Sequence, residues 1–310
     1  MRGAGLVHTE MVSAAGLLHE NRKTRGLLEG PAAERPLVLQ LFGPEAGILR
    51  AGAEAALDVR SFEALEVNFA CPMPKIAGKG SGAALLERPD EAARIVAALI
   101  PLGLPVWGKL RICSPGSVST ESLCGGLLNA GASFLIVHGR TRAQRYEGRA
   151  DREAVGALAR IFPGRIGASG DVYDTSDVRD YLARGAEAVL VARGFLRNPF
   201  ILEEAAAFLA GRPEPLFSLA ERARALGELG EGLRDCEGEQ AALVLVKKFL
   251  VATLRGFHGA AELRDRGVTA RTWSELSALL KGPEERFFPL RSRFSQGAPG
   301  PTCPIARTAP

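Results

Sequence analysis

The feature that most constrains folding in this chain is a unit that repeats along its first two thirds. A short run of aliphatic and β-branched residues ends in a polar side chain, a loop follows, and then a stretch at helical spacing. The runs are Leu6-Val7-His8-Thr9-Glu10, Leu37-Val38-Leu39-Gln40-Leu41, Ala64-Leu65-Glu66-Val67-Asn68, Val106-Trp107-Gly108-Lys109-Leu110-Arg111, Phe134-Leu135-Ile136-Val137-His138, Arg165-Ile166-Gly167-Ala168-Ser169 and Ala188-Val189-Leu190-Val191-Ala192-Arg193. Runs this short and this apolar suit strands buried on both faces of a parallel sheet. Between them, Pro89 to Leu99 and Arg152 to Ile161 carry apolar residues at helical spacing, and Thr175 to Arg184 opens on Thr175, Ser176 and Asp177, all N-cap types. Strands alternating with helices predict a parallel sheet with crossover connections.

The polar ends of the runs select among parallel-sheet folds. Glu10, Gln40, Asn68, Lys109, His138, Ser169 and Arg193 would gather at one rim of a (β/α)8 barrel, where such barrels place their active sites. An open doubly wound sheet would concentrate function at one switch point instead. The expectation is therefore an α/β chain built as a (β/α)8 TIM barrel over residues 1–212. Seven runs leave it one strand short. Gly3-Ala4-Gly5 reads as the turn entering a strand, so the first strand and its helix are read as missing, through a start that lies upstream or a shortened protein; an upstream start is the expectation.

After Gly211-Arg212-Pro213 the strand pattern stops. Residues 218–282 read as a small all-α domain, with helices expected at 219–233, 239–254 and 272–280, the last opened by a Thr272…Glu275 capping box. From 283 to 310 proline, glycine and arginine dominate, and a flexible tail is expected.

A formal charge of +4 and a pI near 8.9 permit an anionic partner without demanding one. The five cysteines, Cys71, Cys113, Cys124, Cys236 and Cys303, are odd in number and contain no CxxC pair, which argues against a zinc site or disulfide framework; no metal is expected, and a reducing cytoplasm is the expected compartment. Met1 to Glu10 lacks the apolar core of a secretory signal, and no apolar stretch is long enough for a membrane span.

Chemistry concentrates in Glu66-Val67-Asn68-Phe69-Ala70-Cys71-Pro72-Met73-Pro74-Lys75. A thiol sits just past a strand end, in a loop restricted by two prolines, where it can act as nucleophile or acid; most free cysteines are simply small buried residues, and the Asn-x-x-Cys-Pro context weighs against that here. Lys79-Gly80-Ser81-Gly82 continues the loop with charge and close backbone approach, or with an ordinary turn. Lys109, within a strand, needs an anionic or carbonyl partner, either a ligand or a structural ion pair. Ser169-Gly170-Asp171 and Arg193-Gly194 follow the last two strands, the loops with which barrels often bind phosphate; two glycine turns and a surface arginine are the plainer alternative. His138-Gly139-Arg140-Thr141-Arg142-Ala143-Gln144-Arg145-Tyr146-Glu147-Gly148-Arg149 could hold RNA or be a solvated charged loop.

In combination and order these segments resemble the tRNA-dihydrouridine synthase family over Gly3 to about Ile201, and more weakly through the helical region. Further landmarks are Thr9-Glu10-Met11-Val12-Ser13, Gln40-Leu41-Phe42-Gly43 and Arg193-Gly194-Phe195-Leu196-Arg197-Asn198-Pro199-Phe200. The resemblance implies an FMN-containing TIM barrel with a helical tRNA-gripping domain. NADPH reduces the flavin, the flavin passes hydride to C6 of a uracil in tRNA, and a cysteine protonates C5. It implies Cys71 as that acid, Gln40, Lys109 and His138 as FMN contacts, Ser169, Gly170, Asp171, Ala192 and Arg193 at its phosphate, and Asn68 beside flavin or substrate. Lys75, Lys79, Arg140 and Arg142 are the candidate tRNA contacts, and a monomer is expected. Three departures stand out: the family's first strand with its Pro-Met-Ala turn has no counterpart, Ser169 replaces an Asn, and Phe69-Ala70 replaces Met-Gly. Two other readings remain open: a flavin dehydrogenase acting on free pyrimidines, such as a dihydroorotate-type enzyme, and a non-catalytic RNA-binding relic without FMN.

Overall fold

The computed structural model describes residues 3–31, 34–257 and 259–282. The tail expected from residue 283 lies outside them. The chain divides into two compact units between Leu216 and Phe217.

In the first unit the apolar runs form strands β1 (Val7–His8), β2 (Val12–Ser13), β3 (Leu37–Phe42), β4 (Ala64–Phe69), β5 (Val106–Arg111), β6 (Phe134–His138), β7 (Ile166–Ser169) and β8 (Ala188–Leu190). Helices α1 (Ala14–Leu18), α2 (Arg22–Gly26), α3 (Ala46–Leu57), α4 (Pro74–Ala77), α5 (Pro89–Leu99), α6 (Thr120–Asn129), α7 (Arg152–Ile161), α8 (Thr175–Ala183), α9 (Arg193–Arg197) and α10 (Ile201–Leu209) lie between and after them. Every ladder is parallel, in the order β1-β3-β4-β5-β6-β7-β8, with β2 also on β3. This is a TIM-like α/β fold. Among the described residues β8 bonds only to β7 and β1 only to β3, so the sheet stays open between them.

β1 and β2 are two pieces of one strand position. His8 faces Val38 and Val12 faces Leu41, so four steps on one strand match three on the other. The extra residue is a bulge, which bends the strand and re-aims its side chains. Its effect is local and specific: Thr9 Oγ1 accepts the Gln40 N–H at 3.0 Å, Glu10 is turned out to solvent, and Met11 rather than Glu10 reaches the rim. The expectation that Glu10 joins the rim set fails for this reason.

Both faces of the central strands β3 and β4 are covered, and their residues are buried almost throughout. Leu37, Leu39 and Leu41 of β3 and Leu65, Val67 and Phe69 of β4 join Leu49 and Ala53 of α3 and Ile95, Val96 and Leu99 of α5 in one core. Asp174, one residue before the expected caps, opens α8 through a full capping box with Asp177.

The second unit is helical: α11 (Leu219–Glu237), α12 (Glu239–Thr253), α13 (Ala260–Thr269) and α14 (Trp273–Lys281). Leu226, Val246, Leu250, Trp273 and Leu276 are in its core. Ser218 and Glu221 form a capping box on α11. On α14, Thr272 accepts the Glu275 N–H at 3.2 Å as expected, but the Glu275 carboxylate takes the Arg271 N–H at 2.7 Å, so the box is only half formed. Helix α13 was not anticipated from the sequence; two of its ten residues are arginines and its apolar face is narrow.

Candidate active site

One cavity of about 470 Å³ opens at the C-terminal ends of the strands. Gln40, Asn68, Lys109, His138 and Ser169 reach it from five successive strands, β3 to β7. Cys71 enters from the loop after β4, Gly170 and Asp171 from the loop after β7, and Ala192 and Arg193 from the end of β8. The cross-strand register pairs Asn68 with Lys109 and His138 with Ser169, whereas Gln40 faces Glu66 and Lys109 faces Ile136, so the rim set steps two residues along the strands between β3 and β4 and again between β5 and β6, as strands staggered around a barrel do.

The cysteine loop is held from below. Asn68 Oδ1 accepts the backbone N–H groups of Ala70 at 3.0 Å and Cys71 at 2.9 Å, while its Nδ2 donates to Gln40 Oε1 at 2.9 Å and contacts Met11 Sδ at 3.1 Å. Gln40 Nε2 in turn donates to the carboxylate of Glu66, a wholly buried residue. From above, Arg111 donates to the carbonyls of Ala70 at 2.7 Å, Thr141 at 3.1 Å and Arg145 at 2.8 Å, tying the loop after β4 to the loop after β6. Burial pushes the Arg111 guanidinium below its ordinary range.

Two groups on the cavity floor present donors without strong acceptors. Lys109 lies deep between the strands, where burial lowers its pKa against the opposing pull of Glu66; its one hydrogen bond among the described residues is to Ser169 Oγ at 3.5 Å. His138 is held neutral. Burial, with the nearby charges of Lys109, Arg111 and Arg140, takes its pKa from 6.5 down to about 3. Its Nδ1 accepts the Arg140 N–H at 3.2 Å, so the proton sits on Nε2, which has no acceptor among the described residues.

The loops after β7 and β8 close one side. Gly170 (φ +111°) and Asp171 (φ +50°) both have positive φ, which turns the chain sharply just past the end of β7. Gly194 is pressed so close that a Cβ there would stand 2.1 Å from the Val172 carbonyl, so only glycine lets the two loops meet. Burial would raise the Asp171 carboxyl, but the Arg140 guanidinium at 2.6 Å and the Ala150 amide hold it below its ordinary value. Arg193 approaches Asp171 at 3.2 Å and lies over the rings of Tyr146 and Tyr173.

The four other candidate contacts do not line this cavity. Lys75 and Lys79 are exposed, at α4 and in the turn after it, and Arg142 pairs with Glu87 at 2.7 Å. Arg140 departs most from the sequence expectation: it is 2% exposed and holds the Glu147 and Gly148 carbonyls and Asp171, a brace inside the loop. Sequence reasoning passed over Met11, Arg111, Tyr146 and Tyr173, which do line the cavity. Arg111 ends its strand just as His138 does, and that parity was the signal available. Tyr146, 53% exposed within an arginine-rich loop, was the other. A second cavity of about 820 Å³, walled by Arg149, Arg152 and Arg184 among others, adjoins the first across Tyr146, Asp171, Tyr173 and Arg193.

A parallel TIM-like sheet with its polar side chains collected at the strands' C-terminal ends, around a thiol and a set of buried donors, defines an enzyme of the barrel class with its active site at the rim. Comparison with known proteins gives the family. The sequence profile described as dihydrouridine synthase (Dus) matches residues 1–285. The chain is 32% identical over 287 residues to a protein of Mycobacterium leprae named "Probable tRNA-dihydrouridine synthase", covering 89% of this chain and 74% of that one. Proteins of the same name from Rhodobacter capsulatus (32% identity, 80% and 78% covered) and Rhizobium leguminosarum (35%, 69% and 66%) are also similar. The chain belongs to the dihydrouridine synthase family, and it is a flavin-dependent oxidoreductase.

Proposed function

We propose that this chain reduces the C5–C6 double bond of uridines in tRNA, with FMN seated in the rim cavity, NADPH as reductant and Cys71 as proton donor. The observation that carries the reading is the meeting of Cys71 with Lys109, His138 and the Gly170-Asp171 turn in one cavity. The donors there suit an acceptor-rich group. A flavin offers carbonyls and ring nitrogens along one edge of its ring system and a phosphate at the far end of its side chain.

Lys109 and the Nε2–H of the neutral His138 would face the ring's pyrimidine edge. The amides of Gly170 and Asp171 and the guanidinium of Arg193 would face the phosphate. When bound and reduced, the flavin supplies hydride to C6 of the uracil. Cys71 holds the proton that C5 needs, on a loop fixed by Asn68 and Arg111. Tyr146, exposed beside the cavity, offers an apolar face to a base drawn out of its stack. The arginine-lined cavity beside it suits the flanking phosphates, and the helical second unit is the proposed second grip on tRNA. The free thiols Cys71, Cys113, Cys124 and Cys236 support action in the cytoplasm. No helix among the described residues is long and apolar enough to cross a membrane.

The test supplies the NADPH-reduced, yellow protein with unmodified tRNA, free uracil or dihydroorotate and follows flavin reoxidation without oxygen. Reoxidation by tRNA alone, with dihydrouridine in the product, is expected. A preference for a free pyrimidine would replace the reading with a dehydrogenase. A colourless protein that takes up no FMN yet retains tRNA would mark a binding relic.

A further inference from the structure

The buried carboxylate of Glu66 lies below the cavity wall and is not used by the chemistry above. Glu66 and Asn68 are two apart on β4 and so point to the same side of the sheet, and Gln40 stands directly opposite Glu66 on β3. Glu66 is 0% exposed, one oxygen takes Gln40 Nε2, and the other has no hydrogen-bond partner among the described residues. His8 Nδ1 stands 3.3 Å from the bonded oxygen.

The two amide side chains above it could each be turned either way, because the amide oxygen and nitrogen have nearly the same shape. A carboxylate offers acceptors only. Gln40 must therefore point Nε2 toward Glu66 and Oε1 away from it. That oxygen can receive only a donor, so Asn68 must turn Nδ2 toward Gln40. Asn68 Oδ1 is then left facing the amides of Ala70 and Cys71, which are donors. Reversing any link would set donor against donor or acceptor against acceptor in a buried site, which costs roughly 1–3 kcal/mol per unsatisfied group.

We propose that Glu66 is a positioning residue for Cys71: its acceptor-only carboxylate fixes the orientation of Gln40, and through it Asn68 and the backbone of the cysteine loop. The inference rests on the proposed role of Cys71, but the geometry it concerns can be read without turnover. Glu66 touches neither the thiol nor the cavity, so its influence passes entirely through the two amides.

The experiment measures the rate at which iodoacetamide alkylates Cys71, located by peptide mass, in the full protein with neither tRNA nor NADPH. Four proteins are compared: wild type, Glu66→Gln, Glu66→Leu and Gln40→Met. Glutamine can still turn an oxygen to Gln40, so Glu66→Gln should alkylate within about twofold of wild type. Glu66→Leu and Gln40→Met both break the chain of orientation and should free the half-buried loop, raising the rate several-fold. In tRNA turnover the same two variants should lose about tenfold or more in kcat with KM for tRNA little changed, since small misplacements of a reacting group act on the chemical step.

Equal alkylation in all four proteins would overturn the proposal. So would a Glu66→Gln protein as altered as Glu66→Leu, since charge rather than orientation would then be what matters. Should Glu66→Leu not fold, Gln40→Met decides through the alkylation rate: it leaves Glu66 in place and removes the link, and because Gln40 also lines the cavity its turnover loss is not counted. A wild-type protein inert toward tRNA would remove the proposed function while the alkylation comparison still reads the loop.

Discussion

Two cavities on the same sheet differ in almost everything but their strands. The rim cavity, about 470 Å³, is walled by Gln40, Asn68, Lys109, His138 and Ser169. The other, about 790 Å³, takes Trp107 from β5, Phe134 and Ile136 from β6 and Gly167 from β7, then runs along the free edge of β8 to Ala205 and Leu209 of α10. On each of these strands the two cavities are separated by a step of two residues: Trp107 and Lys109, Ile136 and His138, Gly167 and Ser169. Two residues of a strand span roughly 7 Å. Over that distance the interior passes from tilted aromatic contacts, Trp107 to Phe134 at 5.3 Å and to His8 at 6.2 Å, to a network of amides and charges. Layering of this kind lets one set of strands supply stability at one level and chemistry at the next.

Substitutions that act at one level and spare the other test this division. The largest effect is expected from Cys71→Ala: uridine reduction should fall by about 10²-fold or more while flavin content, flavin reduction by NADPH and thermal midpoint stay near wild type. Dihydrouridine formed in tRNA is the measurement, and a fully active variant would remove Cys71 from its role. At the lower level, Trp107→Ala should cost about 3 kcal/mol of stability through lost packing, with the flavin environment of the folded protein retained. Denaturant unfolding checks it; a variant that keeps its stability but loses its flavin would collapse the two levels into one. Lys109→Met should release flavin from the folded protein, weakening it by about tenfold or more, read as visible flavin absorbance after dialysis.

The smallest expected effect is a change of slope. His138 titrates near 3 in the folded chain against an ordinary 6.5, so below about 6.5 the unfolded chain binds the extra proton first. Its contribution to stability is full above 6.5 and is lost as pH falls toward 3. His138→Gln should therefore flatten the stability–pH curve in that window, seen by unfolding at several pH values. An unchanged slope would show that His138 is not held neutral by its surroundings.

The contrast also shows what a sequence can reveal. The rim set was legible because a strand's side chains alternate and most runs carried a polar residue at or near their end: Gln40, Asn68, Lys109, His138 and Ser169 all reach one cavity. Arg140 was not legible in that way. Nothing in His138-Gly139-Arg140 distinguishes an arginine that meets solvent from one folded under its own loop onto Asp171, because that depends on a partner 31 residues away. Nor did Glu10 and Met11 reveal which faces the rim, since a one-residue bulge against β3 decides it.

By itself the sequence determined the alternation of strands and helices in the first unit and the polar positions near the ends of β3 to β7, because these follow from periodicity along a single chain. The tertiary structure alone decided which charges line the cavity and which brace its loops, and how Glu66, Gln40 and Asn68 are oriented beneath Cys71. Such contacts join residues on different strands, and their geometry exists only once register and packing have set which atoms meet.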